Sequence, residues 1–319
     1  MKSTWKKYLL YTVYILIASG LLYGLLQLIL SGYAVTWTGF QTRTLWDWMD
    51  LLIIPIMLAF GAFVLNRSER TIERENANKR AELEREIAKD RQQEAALQAY
   101  ISRMSELLLE KKLRTTRRKE VRDVARTMTV SVMRGLDKDR NDLVIQFLRE
   151  AKLIIDKNSI LNGADMEGMS LQGLNLEGVH LQKANLRDAK LEGANLMRAN
   201  LQDSELWRAN LQNAELLEAN LQKAELRIAN LEKATLWQAN LREADLRFTN
   251  FQRANLLQAD MQGAYLWGAD LKEANLYNAK LQGAYLKEAN LWGSSITNEQ
   301  LIQVESLEGT TMPDGTVHK

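Results

Sequence analysis

The sequence predicts a short-period solenoid preceded by a helical N-terminal region, and three observations carry that prediction. From Leu161 to Ile296 an apolar residue stands at every fifth position, nearly always Leu, with Met166, Phe251, Met261 and Ile296 as the variants. The residue two before each is small, as at Ala184, Ala189, Ala194, Ala199 and Ser204. Two apolar runs, Tyr8–Ile29 and Leu51–Leu65, come earlier, separated from the repeat by charged, helix-favouring sequence. A period of five fits neither the 3.6 of a helix nor the 2 of a half-buried strand. A fixed short period means that each repeat buries its apolar face by stacking on its neighbours.

Read in fives, the stretch contains units such as Ala194-Asn195-Leu196-Met197-Arg198. It resembles the pentapeptide-repeat family, whose motif is A(N/D)LXX, over roughly 28 consecutive pentads in phase. The resemblance implies a right-handed quadrilateral β-helix, one pentad per side and four per coil. The fold class expected is therefore an all-β solenoid plus an N-terminal transmembrane α-hairpin and a helical linker and bundle. Leu and the small residue two before it would point inward. About seven coils at a spacing of about 4.8 Å give a column roughly 34 Å tall. Met169, Leu174 and Val179 place bulk at three corners of the first coil, as a plug against an exposed β edge.

The expected divisions are a transmembrane hairpin over 1–66, a charged helical linker over 67–94 and a small helical bundle over 95–157. The β-helix follows over 158–296, with a capping helix and tail over 297–319. The run Tyr8–Ile29 is long enough to cross a bilayer core of about 30 Å. Leu51–Leu65 reaches that length only if Trp46 to Asp50 lie in the interface, and Pro55 inside it suits a membrane helix better than a soluble one. Lys2, Lys6 and Lys7 precede the first run, and Arg67, Arg70, Arg74, Lys79 and Arg80 follow the second. The positive-inside rule then expects a two-span membrane protein with both termini and the solenoid cytoplasmic. The intervening loop is too short for a pore helix and filter, so the hairpin reads as an anchor.

Residues 67–94 lack Gly and Pro and carry the sign-matched pairs Glu75–Lys79, Glu82–Arg85 and Glu86–Lys89, which support an exposed helix. Leu83 and Ile87 fit a heptad but Asp90 and Glu94 do not, so a coiled coil is the lesser reading. Three amphipathic stripes follow: Leu97, Ile101, Met104 and Leu108; Val121, Val124, Ala125, Met128 and Val132; and Leu143, Val144, Phe147 and Leu148. Gly135 closes the second helix and Asp139 is expected to cap the third. The segment Glu94–Arg114, EAALQAYISRMSELLLEKKLR, resembles one in membrane-anchored bacterial members of the same family. The cluster Lys111, Lys112, Arg114, Arg117, Arg118 and Lys119 reads either as a solvated helix connection or as a contact for anionic lipid or nucleic acid. Thr297 with Gln300 forms a capping box for a short terminal helix.

If a coil holds twenty residues, outward positions twenty apart stack in ladders. One such ladder, Met197, Leu217, Trp237, Leu257 and Tyr277, is wholly apolar, and a contiguous apolar strip marks an interface. Another, Arg187, Trp207, Arg227, Arg247, Trp267 and Lys287, lies beside Glu205, Glu225 and Asp245. It reads equally as a self-neutralising structural ladder or as a second binding face.

The chain has 319 residues, no Cys, two His and a net charge of +2. There is no thiolate nucleophile, no Cys-based zinc site, no paired imidazole and no phosphate-cradling Gly loop, so neither an enzyme nor a cofactor is expected. The function expected is a non-catalytic, membrane-anchored scaffold that binds a protein partner or a second copy of itself. The rival, implied by the family resemblance, is a DNA mimic that regulates a type II topoisomerase. That role needs an acidic column, whereas the pentads hold about 17 acidic against about 14 basic residues. A sensor or regulator of membrane transport stands as a further alternative, and nucleic acid is not expected as a partner.

Overall fold

The structure, a computed structural model, describes Tyr23, residues 45–116 and residues 118–319. The chain divides into two compact units, one ending at Arg85 and the other running from Glu86 to Lys319. The first expected span, Tyr8–Ile29, and the loop after it lie outside the described residues, Tyr23 excepted.

Helix α1 runs from Leu45 to Leu109. Unbroken helix-favouring sequence after Gly61 explains its length, and Lys79 pairs with Glu75 at 2.8 Å along its surface. The expectation of a two-span membrane protein is overturned here: among the described residues no helix is long and apolar enough to cross a membrane. The apolar run Leu51–Leu65 amounts to about 22 Å of helix, against a hydrocarbon core of about 30 Å. Asp50 bounds it on one side and Asn66 and Arg67 on the other.

In the second unit, the end of α1 packs with α2 (Lys119–Gly135) and α3 (Lys138–Glu150). Leu97, Tyr100 and Met104 of α1, Ala125, Val130 and Met133 of α2, and Val144, Ile145 and Leu148 of α3 are buried. Val124 and Leu143, expected inside, are exposed. Each helix presents a face rotated from the expected one, toward Thr129 and Met133 on α2 and Asn141 and Ile145 on α3. Buried polar groups among these helices make side-chain bonds, although the Asn141 Oδ1 finds no partner among the described residues. Thr129 gives its hydroxyl proton to the Ala125 carbonyl at 2.8 Å, which leaves Tyr100 to donate to Thr129 at 2.9 Å. Burial pushes the Tyr100 hydroxyl well above the usual phenol range. Asn141 donates to the Met133 carbonyl at the end of α2. The N-cap of α3 is Asp137, which accepts from the Arg140 backbone N–H, and Asp139 falls inside the first turn.

The column follows from one turn repeated. The small residue of each pentad donates its N–H back to the central Leu carbonyl of the pentad before, as from Ala184 to Leu181 and from Ala194 to Leu191. The residue two after the Leu has positive φ, 54–59° at non-Gly positions from Lys183 to Glu288. Parallel bridges join residues twenty apart, from Asp165 with Asn185 to Asp270 with Asn290, so four pentads close one coil. The central Leu of each pentad and the Ala two before it are buried throughout. Where Asn precedes the central Leu, it has two tasks. Its side-chain oxygen accepts from the N–H two residues on, as Asn220 does from Gln222. Its amide donates to the Asn one coil back, as in Asn240 to Asn220 and Asn220 to Asn200. Asp at the same place can do the first but not the second.

Both ends of the column are closed. At the start, Arg134 of α2 donates to the carbonyls of Asp165 and Glu167, and Arg149 of α3 to those of Asn175 and Glu177. These carbonyls would otherwise face a missing coil. Met169, Leu174 and Val179 are buried at the same end. At the finish, α4 (Asn298–Leu301) carries the Thr297–Gln300 capping box. The Gln300 amide donates to the Leu276 and Ala279 carbonyls. Beyond α4 the ladder resumes with a step of twenty-one, pairing Tyr285 with Ser306 and Asn290 with Thr311. The tail then turns back, and Thr311 pairs antiparallel with Val317 over the last edge.

Candidate binding surface

With both ends closed, the outward faces of the column are what it can offer a partner. The bridges Asn195–Glu215, Glu215–Thr235, Thr235–Asn255 and Asn255–Asn275 stack five pentads directly. They bring Met197, Leu217, Trp237, Leu257 and Tyr277 into one line. Tyr277 is 56% exposed and Trp237 39%, while Met197, Leu217 and Leu257 are half-buried. A polar line runs alongside: Arg198 pairs with Glu218 at 3.0 Å, and Gln238 donates to Gln258 at 2.9 Å. The Trp237 indole N–H reaches Gln258 at 3.3 Å, which fixes the ring against the column.

The second face is ionically satisfied within itself. Arg187 pairs with Glu205 at 2.8 Å, Arg227 and Arg247 share Asp245, and Lys287 meets Glu308 at 3.0 Å. The Asp245 carboxylate beside it holds the Arg247 guanidinium above its usual range. Arg208 lies over the Trp207 ring at 5.2 Å, and the Trp267 indole donates to Glu288 at 2.9 Å. Sequence reasoning missed Ile228 and Phe248 on this face because it followed the residue after each Leu, and these stand one place later. Their signal was available as two apolar residues in a column of Asp188, Arg208 and Glu288.

The basic junction is a connection wrapped around one buried side chain. Leu113 is fully buried, while Lys111, Lys112, Arg114, Arg118 and Lys119 around it are exposed. Arg117 lies outside the described residues. Among the described residues no group of three or more His, Asp or Glu side chains is placed to hold a metal ion.

Comparison with known proteins bears on the column. Residues 159–196, 194–232, 229–268 and 254–293 match the family described as pentapeptide repeats, in eight copies. Among solved structures, a pentapeptide-repeat protein involved in heterocyst differentiation regulation in Nostoc is 31% identical. That match covers 49% of this chain and 86% of the other, with a TM-score of 0.19. Another Nostoc pentapeptide-repeat protein is 42% identical over 25% of this chain and 69% of its own, at a TM-score of 0.21. A plasmid-mediated fluoroquinolone resistance protein is 17% identical over 48% of this chain and 86% of its own, at 0.40. At these TM-scores none of the likenesses bears on what the chain binds. Comparison with curated proteins gives no match. The match finds no support for a membrane-anchored type; through its repeat region, the chain belongs to the pentapeptide-repeat family.

Proposed function

We propose that the chain is a non-catalytic scaffold whose column binds a protein partner along Met197, Leu217, Trp237, Leu257 and Tyr277. The observation that carries the reading is the alignment of five apolar side chains on one side of the column. Corresponding positions on the other sides are dominated by Gln, Arg, Glu and Lys. Outward positions are therefore not apolar by default, and a contiguous strip is what a protein interface uses. Trp237, near the middle and already fixed by Gln258, is suited to be the energetic anchor, because central buried aromatics carry most binding energy. A DNA-like role would require a column of unpaired carboxylates. Many of those here are neutralised across coils, as in Arg198–Glu218, Arg208–Asp188 and Arg253–Glu273.

The test is the double variant Leu217→Glu, Trp237→Glu in the full chain. Both side chains point outward, so circular dichroism melting should change little, while proteins reproducibly captured by the wild-type chain should be lost. An unchanged set of captured proteins from a normally melting variant would end the proposal.

A further inference from the structure

A second surface, on a different side of the column, carries apolar groups that the repeat itself does not need. Ile228, Phe248, Tyr265, Trp267 and Tyr285 are each between 38% and 53% exposed. They are contiguous. The Phe248 and Trp267 ring centroids lie 5.4 Å apart, and Tyr265 and Tyr285 stack at 5.2 Å with their planes 8° from parallel. Ile228 stands one coil before Phe248, and Tyr265 two residues before Trp267 on the same pentad.

Two of these residues sit where the backbone disfavours them. Ile228 has φ 58° and Phe248 φ 59°, at the left-handed turn position. Elsewhere in the column that position holds Gly or a residue such as Asp188, Asn213, Lys223, Gln238 or Glu273. A left-handed conformation costs an L-residue roughly 1–2 kcal/mol, and a β-branched side chain there is a true outlier. Neither side chain is repaid by burial in the column. Backbone strain held at an exposed apolar residue points to a use outside the fold.

We infer that this side is the contact between two copies of the chain, packed column against column about a two-fold axis. Taking about 200 Å² for a whole large side chain, the exposed parts of the five supply roughly 400 Å² of apolar surface. A standard interface buries about 800 Å² per partner, a little over half of it apolar, so the patch comes close to that apolar share. The charges around it are spent internally. Arg227 and Arg247 are held by Asp245, Lys287 by Glu308 and Arg208 by Asp188. Such a side offers a charged partner little attraction, and two identical copies of it do not repel. A two-fold contact also demands a self-complementary surface, and rings repeating at the coil spacing meet their own copies at the same spacing.

Sedimentation velocity of the full chain across a concentration series tests this, beside the double variant Ile228→Asn, Phe248→Asn. Wild type should pass from one to two chain masses as concentration rises through the micromolar range. The variant should need at least about tenfold more protein to do so. Its melting temperature should hold or rise, because Asn tolerates the left-handed turn. Should that variant melt low, Tyr265→Lys, Tyr285→Lys decides instead, since both positions lie outside the turn. The Leu217→Glu, Trp237→Glu variant should dimerise as wild type does, which separates this contact from the partner strip. A wild-type chain that stays at one mass overturns the inference, as does a normally melting Ile228/Phe248 or Tyr265/Tyr285 variant that dimerises unchanged. Loss of dimerisation in the Leu217/Trp237 variant overturns it as well.

Discussion

Phe248 lies directly over Gly268: a β-carbon added at Gly268 would sit 2.6 Å from two carbons of the Phe248 ring. The glycine is therefore held by two demands, a φ of +64° and the ring above it. Gly268→Ala should lose the backbone freedom, at roughly 1–2 kcal/mol, and also displace the ring, for about 1–3 kcal/mol more. Gly193 has a similar φ of +62° but nothing within 4 Å of the added carbon. Gly193→Ala should show the backbone cost alone. Thermal melting of both, and of Gly268→Ala in a Phe248→Ala background, separates the contributions. Equal losses at the two glycines would remove the ring from the account.

The corner residue sets how much bulk a coil accepts. Ala224 is fully buried in mid-column, between coils already filled by Leu. Ala224→Leu overpacks it and should cost at least about 1–3 kcal/mol. Val179 is equally buried, but in a first coil whose corners already hold Met169 and Leu174. Val179→Leu should cost less than about 1.5 kcal/mol. Comparable falls in melting temperature at both sites would contradict the assignment of the corners.

The inward half of the column was legible in the sequence because a five-residue phase admits one register, and Leu and Ala declare it at nearly every turn. The Asn that often precedes the Leu was legible as a motif, but its amide ladder emerges only once coils stack at a step of twenty. Where the step becomes twenty-one, phase is lost, and the pairing of Ser306 and Thr311 was invisible to a fixed period. Asp139 and Asp137 are both good caps by composition. Packing chose Asp137, whose carboxylate also binds the Arg140 guanidinium. The candidate surfaces were half legible. The apolar strip followed from counting by twenties, whereas Ile228 and Phe248 were hidden because side chains at the turn position also reach the surface.

Acid should loosen α3 through that same Asp137. The backbone N–H of Arg140, and then its guanidinium, hold the carboxyl below the usual carboxylate range. A lowered folded-state value stabilises the fold above the unfolded value, near pH 4, and that contribution is lost as pH falls through the lowered one. Asp137→Asn keeps a side-chain acceptor for the N–H but gives up the charge. Its melting temperature should lie below wild type at pH 7, and the gap should close as pH drops below about 4. A gap that persists at pH 2 would mean the charge is not what matters.

The four carbonyls at the head of the column lead to the sharpest stability prediction. Inside the column such carbonyls accept from the preceding coil, as Asn185 does from Met166 and Arg187 from Gly168. Their counterparts one coil earlier, Asp165 and Glu167, have no preceding coil, and Arg134 supplies donors at 3.2 and 3.0 Å. On the opposite side Arg149 does the same for Asn175 and Glu177, at 3.2 and 2.5 Å. One guanidinium offers two N–H groups in a fixed fork, so it replaces two backbone amides at once. An ammonium is a single point donor and cannot do this. Lys at either place should therefore recover only part of what Met loses. The Arg149 bond to Glu177 is partly buried, so Arg149→Met strands an acceptor shielded from water and should cost about 1–3 kcal/mol. The Arg134 bonds are exposed, water can take their place, and Arg134→Met should cost about 1 kcal/mol or less. Hydrogen exchange should localise the damage, with amides between Leu161 and Leu181 exchanging faster and those between Leu221 and Leu241 unchanged. If Lys rescues fully, or if exchange rises evenly along the column, the fork is not what closes this end.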